Sequence, residues 1–103
     1  MSFKKKFNHS GNTCTVTFQL PIAIADGAMD VKILGDFNQW DLSKAVTMKQ
    51  KKGAFEASVN LERNKEHQFR YLIDGNFWQN DPEADKYVPT PFGVENSVVV
   101  TSK

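Results

Sequence analysis

Apolar and polar residues alternate with a period of two along three long stretches of this chain. In residues 13–20 the even positions, from Cys14 to Leu20, are apolar and the odd positions are polar. Residues 54–62 and 66–74 repeat the pattern, with apolar or aromatic residues at most of their odd positions. Successive side chains of a β-strand point to opposite faces. Each stretch is therefore predicted to be a strand with one face in the core.

Shorter runs rich in β-branched residues complete the set of predicted strands. Residues 31–34 and 97–101 are two such runs, and residues 45–49 are a weaker candidate. Lys51-Lys52-Gly53 is typical of a hairpin turn, and Asp74-Gly75 begins another. No segment carries a helical period of useful length. The pattern predicts an all-β protein, a β-sandwich of immunoglobulin-like architecture.

The length of 103 residues allows one domain with a single core. We expect residues 1–12 to form an N-terminal basic segment and residues 13–103 to form the sandwich domain. The run Lys4-Lys5-Lys6 is interpreted as a solubilising end, with an anionic partner as the alternative. Residues 80–97 contain three prolines and no alternation, which predicts a long connection. Its aromatic residues, Tyr87 and Phe92, argue against disorder there.

Charge and composition argue against several kinds of partner and cofactor. The 13 basic and 12 acidic side chains nearly cancel, so we expect no nucleic acid or anionic membrane as partner. No stretch is apolar and long enough to span a bilayer, and no signal peptide is visible, so the cytoplasm is expected. The single Cys14 excludes an internal disulfide and supplies no metal pattern. No cofactor is expected, and His9 and His67 are expected to be isolated surface residues.

Both tryptophans stand in polar surroundings at the edges of predicted strands. In "GDFNQW", residues 35–40, we expect Phe37 to enter the core and Trp40 to stay exposed. In the hairpin "DGNFWQNDP", we expect Phe77 and Trp78 to face opposite sides, one toward the core, and either ring can be the exposed one. The alternative is that the tryptophans only close the ends of the sandwich, since Trp is highly buried on average.

Exposed indoles beside amides and charged donors suit sugars as ligands. A pyranose ring has a face of C–H groups that covers an aromatic ring, and burial of that area contributes about 25 cal/mol per Å². The hydroxyls at the ring edge then need polar partners, because desolvated hydroxyls without partners cost free energy. Arg70, on the outward face of its predicted strand, is a candidate partner, although taken alone it is more readily interpreted as a solvated strand residue.

Three motifs resemble one family. "VKILGDFNQWD", "HQFRYLIDGNFWQNDPEAD" and "PFGVENSVVV" are similar, in this order, to the glycogen- and starch-binding modules of carbohydrate-binding module family forty-eight. This family includes the glycogen-binding domain of the AMP-activated protein kinase β subunit and the N-terminal domains of isoamylases and branching enzymes. The resemblance covers roughly residues 13–101 and is greatest to small stand-alone bacterial members. It implies an early-set immunoglobulin-like sandwich that binds α-1,4-linked glucan such as glycogen, starch or maltooligosaccharide.

The resemblance also implies which residues touch the sugar. Trp40 and Trp78 match two tryptophans that stack on glucose rings, and Arg70 matches a lysine that bonds to hydroxyls. Phe92 matches a leucine of the loop that meets the curved glucan, and Asn96 matches an asparagine that contacts hydroxyls. This sequence departs from the pattern in having Arg at position 70, a valine in place of a threonine at position 94, and a longer Trp78 hairpin.

Two other functions compete with sugar binding. Hydrolysis of a glycoside needs two carboxylates about 5–10 Å apart in a cleft. The chain has carboxylates in composition, but Asp74 precedes Gly75 and Asp81 precedes Pro82, which are turn roles. We therefore expect no catalytic residues and no enzyme activity. The other competitor is a protein-interaction or docking module of the same fold without sugar affinity, with a glycogen-metabolising enzyme as a candidate partner.

Overall fold

Two antiparallel sheets pack face to face in the computed structural model, which describes residues 3–9, 11–25 and 27–102. The first sheet has the strand order β1-β2-β6-β5, formed by β1 (Phe3–Phe7), β2 (Thr13–Pro21), β6 (Ala54–Glu62) and β5 (Lys49–Lys51). The second has the order β4-β3-β7-β10-β9, formed by β4 (Val46–Thr47), β3 (Val31–Gly35), β7 (Glu66–Ile73), β10 (Glu95–Val100) and β9 (Lys86–Pro89). A further short strand, β8 (Phe77–Gln79), pairs with β7.

The predicted immunoglobulin-like β-sandwich is confirmed. The three alternating stretches are β2, β6 and β7, and the two shorter runs are β3 and β10. The weak candidate at residues 45–49 is two strands, β4 and β5, which belong to different sheets on either side of Met48. Outside the ten strands, the described part of the chain consists of loops and two short 3-10 turns, at Asp36–Asn38 and Leu42–Lys44.

Strand β1 was not predicted, because its lysines hide its alternation. It pairs with β2 along its whole length, from Phe3 opposite Phe18 to Phe7 opposite Cys14. Phe3 is buried in the core, and the ammonium of Lys5 lies 2.7 Å from a carboxylate oxygen of Asp85. The basic N-terminal segment expected at residues 1–12 therefore contains an ordered strand of the first sheet.

The core lies between the facing sides of β2 and β7. Aromatic rings dominate it: the Phe18 and Phe69 centroids are 5.0 Å apart and inclined at 74°, and Tyr71 packs edge-to-face on Phe69 at 5.5 Å. Edge-to-face contact matches the positive edge of one ring to the negative face of the next. His67 belongs to this inward face and is buried, its Nε2 bonded to the Glu62 carbonyl at 2.9 Å, so the expectation that it is a surface residue is wrong.

The register of the second sheet decides which side chains share its outer face. Arg70 lies opposite Leu34, and Leu72 lies opposite Trp78, so these side chains point away from the core. The Asn96 side chain points to the same outer face. Val98, two residues further along β10, lies opposite Gln68, and residues two apart in a strand share a face. This outer face carries the candidate site described below.

A buried hydrogen-bond network fastens the start of the long connection to the sheet. The Tyr71 hydroxyl donates to Oδ2 of Asp81 at 2.6 Å, and the Asp81 amide donates to Ser97 Oγ at 2.9 Å. The Tyr87 hydroxyl donates to the Asp81 carbonyl. The segment 80–97, predicted to be one loop, thus includes β9 and is held against β10.

Tyr71→Phe is expected to change how stability depends on pH. Burial first, and then the Asp81 charge, raise the pKa of Tyr71 well above its ordinary value of 10.0. Because the folded-state pKa is raised, this stability is complete below pH 10 and is lost as pH rises above it. Tyr71→Phe should cost about 1–3 kcal/mol at pH 7, since Asp81 loses a donor, and the difference from the original chain should shrink above pH 10.

Urea unfolding from pH 7 to pH 11 measures this difference. The control is Tyr87→Phe, which removes a hydroxyl from the same network but leaves Tyr71 in place, and it should keep the original alkaline decline. A Tyr71→Phe profile parallel to that of the original chain at every pH would contradict the prediction.

Candidate functional site

Two indole rings meet on the outer face of the second sheet. The centroids of Trp40 and Trp78 are 6.2 Å apart, and the ring planes are inclined at 62°. Trp78 is 47% exposed and Trp40 is partly exposed. Trp40 comes from the loop after β3 and Trp78 from β8, so two elements distant in sequence build this aromatic pair.

The Trp40 loop is tied to the end of β3 at two points. Gly35 lies so close to β7 that a Cβ there would stand 2.4 Å from the Gln68 carbonyl oxygen. Asn38 is buried beneath the loop, where its Oδ1 accepts from the Gly35 amide at 2.9 Å and its Nδ2 donates to the Ile33 carbonyl at 3.1 Å. The loop therefore has little freedom to move away from the sheet.

Two consecutive left-handed residues aim Trp40 outward. Gln39 has φ 56° and Trp40 has φ 55°, a region that costs non-glycine residues free energy. The Trp40 amide donates to the Gly35 carbonyl at 3.0 Å, which closes the turn. Strained backbone of this kind persists only where the surroundings impose it, and it concentrates at binding sites.

Asp36 fixes the orientation of the Trp40 ring. Its Oδ1 accepts from the indole Nε1 at 3.3 Å, while its Oδ2 accepts from the Gln68 amide at 3.0 Å. One carboxylate thus joins the ring to strand β7. Because the indole N–H is already bonded, the ring offers a ligand its face rather than its donor.

The guanidinium of Arg70 lies against both indoles. Its Cζ is 5.7 Å from the Trp40 centroid and 4.9 Å from the Trp78 centroid, within the range of cation–π attraction. Its Nε is buried and makes no hydrogen bond within the described residues. The group therefore keeps unused donor capacity while its plane is held by two rings.

A cavity of about 460 Å³ adjoins this cluster. Its lining combines rings, prolines, amides and the guanidinium: Trp40, Gln68, Arg70, Pro89, Thr90, Pro91, Phe92 and Asn96. Phe92 stands at its rim, 88% exposed, on a turn closed by the bond from the Thr90 hydroxyl to the Val94 carbonyl at 2.8 Å.

Asn96 forms a buried amide pair with Gln68 in the wall of this cavity. Asn96 Nδ2 donates to Gln68 Oε1 at 3.0 Å, which fixes the Asn96 amide. Its Oδ1 is buried, with no hydrogen-bond partner in the described part of the chain. A buried acceptor without a partner costs free energy, and native proteins keep few of them.

The five residues expected to contact sugar are thus gathered on one surface. Phe37 packs against the core next to Phe18, as expected, at 6.1 Å between ring centroids. Phe77 and Trp78 do face opposite sides of β8, but the expectation that one of them reaches the core is wrong, since Phe77 is 67% exposed. Sequence reasoning missed Asp36 and Gln68, whose roles depend on strand register.

A slightly larger cavity, about 490 Å³, lies on the other side of the Asp36 loop. It is lined by several charged residues of the β6–β7 hairpin, but these are paired within the protein. Lys65 lies 2.9 Å from Glu62, and Lys86 lies 2.7 Å from Glu66. It presents no exposed ring, so the indole surface is the better candidate site.

Asp74 and Asp81, the two carboxylates weighed for catalysis, do not line the cavity beside the indole pair. None of the described residues that line this cavity carries a carboxylate. Asp74 accepts from the Met29 and Asp30 amides at 2.9 Å, and Asp81 is buried under Tyr71, so both serve the fold.

Within residues 3–9, 11–25 and 27–102, no group of His, Cys, Asp and Glu is placed to hold a metal. The same ranges contain no helix long and apolar enough to cross a membrane.

Comparison with known proteins gives one family and one fold. Residues 18–103 match the family described as the glycogen recognition site of AMP-activated protein kinase. A search of curated protein sequences finds no match. Among solved structures 53 chains match. One is the enterobactin esterase of Shigella flexneri, crystallised with 2,3-dihydroxy-N-benzoyl-serine, with a TM-score of 0.71 and 10% identity over 97% of this chain and 32% of the esterase chain.

The similarity to the esterase shows only that the two proteins share a fold. This chain corresponds to about a third of the esterase. The family match is different in kind, because it spans well over half of the chain and includes every residue of the candidate site. It confirms the resemblance drawn from the sequence motifs. The chain belongs to the family of the glycogen recognition site of AMP-activated protein kinase, whose members are carbohydrate-binding modules rather than catalytic domains.

Proposed function

We propose that this module binds α-1,4-linked glucan, as glycogen, starch or maltooligosaccharide, without acting on it chemically. The observation that carries the proposal is the pair of partly exposed indoles, 6.2 Å apart, with one guanidinium against both. The family supports a carbohydrate as ligand, and the geometry supports stacking as the means of recognition.

Stacking supplies the main attraction in this proposal. Glucose rings cover the open faces of Trp40 and Trp78, and the apolar area removed from water contributes about 25 cal/mol per Å². The polarised C–H groups of a pyranose also meet the negative face of the indole. The inclination of 62° between the rings suits successive glucose units that are not coplanar, as in the curved α-1,4-linked chain.

Polar side chains then recognise the hydroxyls. Arg70 donates from a guanidinium that the indoles already hold, so little side-chain entropy is lost on binding. Asn96 accepts through its unpartnered Oδ1, and Phe92 covers the apolar edge of the chain from the rim. In this proposal the side chains that contact the sugar already hold their binding positions before the ligand arrives.

The affinity expected for such a surface is micromolar to millimolar. A shallow site with two or three rings buries little area, and binding orders a flexible ligand. A cytoplasmic location and a glycogen-metabolising enzyme as protein partner belong to the same proposal. The family supports an enzyme as partner, and the single buried Cys14, which forms no disulfide, supports the location.

Migration in a native gel that contains glycogen tests the proposal. The original chain should be retarded by glycogen and not by dextran, and its Trp fluorescence should change with maltoheptaose. Trp40→Ala and Trp78→Ala should each weaken binding at least about tenfold, equivalent to about 1.4 kcal/mol. Leu42→Ala is the matched control, since Leu42 is apolar and 59% exposed near Trp40 but lies outside the cavity lining.

The alternative is a docking module that uses the same surface for a protein. Exposed Trp, Tyr and Arg side chains also dominate protein interfaces, which is the observation in its favour. Equal migration of the original chain with and without glycogen, together with unchanged fluorescence, would favour this alternative. Thermal unfolding of each variant shows whether a loss of binding reflects a loss of fold.

A further inference from the structure

A third cavity, of about 260 Å³, is lined by Trp78 and not by Trp40. It is lined by residues of the loop after β2, of β7 and of β8: Ile24, Ala25, Ile73, Phe77, Trp78 and Gln79. Ile73 pairs with Phe77 across the two strands, so both point to the inner side of the sheet. Trp78 is shared between this cavity and the indole pair.

Phe77 is not explained by packing. It is 67% exposed although it lies on the inner side of the sheet, in a short strand that pairs with β7. A single exposed apolar residue is ordinary. Here the Phe77 ring lies next to a second exposed ring, Trp78, and it borders a cavity lined by aliphatic side chains. Contiguous exposed apolar surface of this kind marks binding sites.

We propose that the cavity at Phe77 is an additional subsite for one glucose unit of the same α-glucan chain, an inference that rests on the proposed function. The Phe77 ring provides a stacking face, and Ile24 and Ile73 contact the C–H groups below. Gln79 supplies the polar partner: its Nε2 is bonded to the Asn80 carbonyl at 3.1 Å, so the amide is oriented and its Oε1 can accept from a hydroxyl.

Size and continuity identify the occupant as a single sugar ring. Pockets for drug-sized ligands measure roughly 300–1,000 Å³, so a cavity of 260 Å³ suits one pyranose. A protein partner would need an interface of at least about 1,000 Å² in total, much more than this hollow offers. Trp78 belongs to the indole pair and also lines this cavity, so a glucan stacked on it can continue into the cavity by passing over an edge strand of three residues, Phe77–Gln79.

Dependence of affinity on oligosaccharide length tests this subsite. Calorimetry or Trp fluorescence should show that Phe77→Ala weakens maltoheptaose binding about fivefold and leaves maltotriose binding unchanged, because only the longer chain reaches past Trp78. Phe77→Trp, with a larger ring, should strengthen maltoheptaose binding. Trp40→Ala should weaken both ligands. Met29→Ala is the control, an apolar side chain 90% exposed that does not line the cavity, and it should change neither.

Each other outcome overturns the subsite. If the original chain binds maltoheptaose and Phe77→Ala binds it equally well, the subsite is wrong and the proposed function stands. If Phe77→Ala weakens both ligands by the same factor, Phe77 acts within the indole site and there is no separate subsite. If the original chain binds no α-glucan at all, the proposed function fails first and the subsite fails with it.

Discussion

Gly35→Ala is expected to lower the free energy of unfolding by about 3 kcal/mol or more, the upper part of the range for overpacked sites. The added methyl would stand 2.4 Å from the Gln68 carbonyl oxygen and 2.9 Å from Phe69 Cβ. Both belong to the central strand β7, so neither can rotate aside. Relief requires β3 to move away from β7, which would also displace the Trp40 loop. The midpoint of thermal unfolding should fall by at least about 10 °C.

Gly53→Ala separates the steric effect from the effect of backbone conformation. Gly53 has φ 83°, and no atom lies within 4 Å of the place that an added methyl would take, so only the left-handed strain of about 1–2 kcal/mol applies. Gly35 is extended, with φ −172°, and has only the steric problem. An alanine at position 35 that costs less than one at position 53 would contradict the close approach of the two strands.

Asn38→Asp is the second substitution expected to have a large effect. The new carboxylate keeps the shape of the Asn38 side chain, and one of its oxygens still accepts from the Gly35 amide. Its other oxygen replaces the Nδ2 donor and stands 3.1 Å from the Ile33 carbonyl oxygen, so two acceptors face each other. Burial of a charge facing a carbonyl should cost about 3 kcal/mol at neutral pH. Glycogen binding should weaken as well, because Asn38 holds the loop that carries Trp40.

The pH dependence distinguishes this mechanism from a simple loss of packing. Burial and the facing carbonyl raise the folded-state pKa of the introduced carboxyl above its unfolded value. The protonated form is then favoured, so the penalty should be smallest in acid and grow as pH rises. Urea unfolding at acid and neutral pH measures it. Asn60→Asp is the control, because exposed Asn60 only accepts from Thr15 Oγ1 at 2.6 Å, and it should cost little at either pH.

The alternation of apolar and polar residues predicted the strands that have one face in the core and the other in water. It failed for β1, whose sequence FKKKF alternates in burial although its centre is entirely lysine. It failed for β9 because Lys86–Pro89 is short and ends in a proline, so its pairing with β10 comes from the tertiary fold. Alternation predicts a strand only where the two faces differ in polarity, and β3 and β10 were predicted instead from their β-branched residues.

Trp40, Trp78 and Arg70 were expected at the candidate site from their loop surroundings and strand face as well as from the family resemblance, whereas Phe92 and Asn96 came from the resemblance alone. What the sequence could not supply were the contacts made across the sheet. The backbone amide of Gln68 donates to Asp36, and its side-chain oxygen accepts from Asn96. Both hydrogen bonds depend on the register of β7 with its neighbours. The exposure of Phe77 was likewise not predicted, because residue alternation gives the face on which a ring lies but not whether another element covers that ring.

The left-handed backbone at Gln39 and Trp40 has a consequence for the speed of recognition. Because the unfavourable conformation is imposed by the fold itself, the indole rests in its working position whether or not sugar is present. Under the proposed function, a glucan should meet a surface whose shape was set when the chain folded, and the rate of association should be limited by diffusion and orientation rather than by rearrangement of the loop.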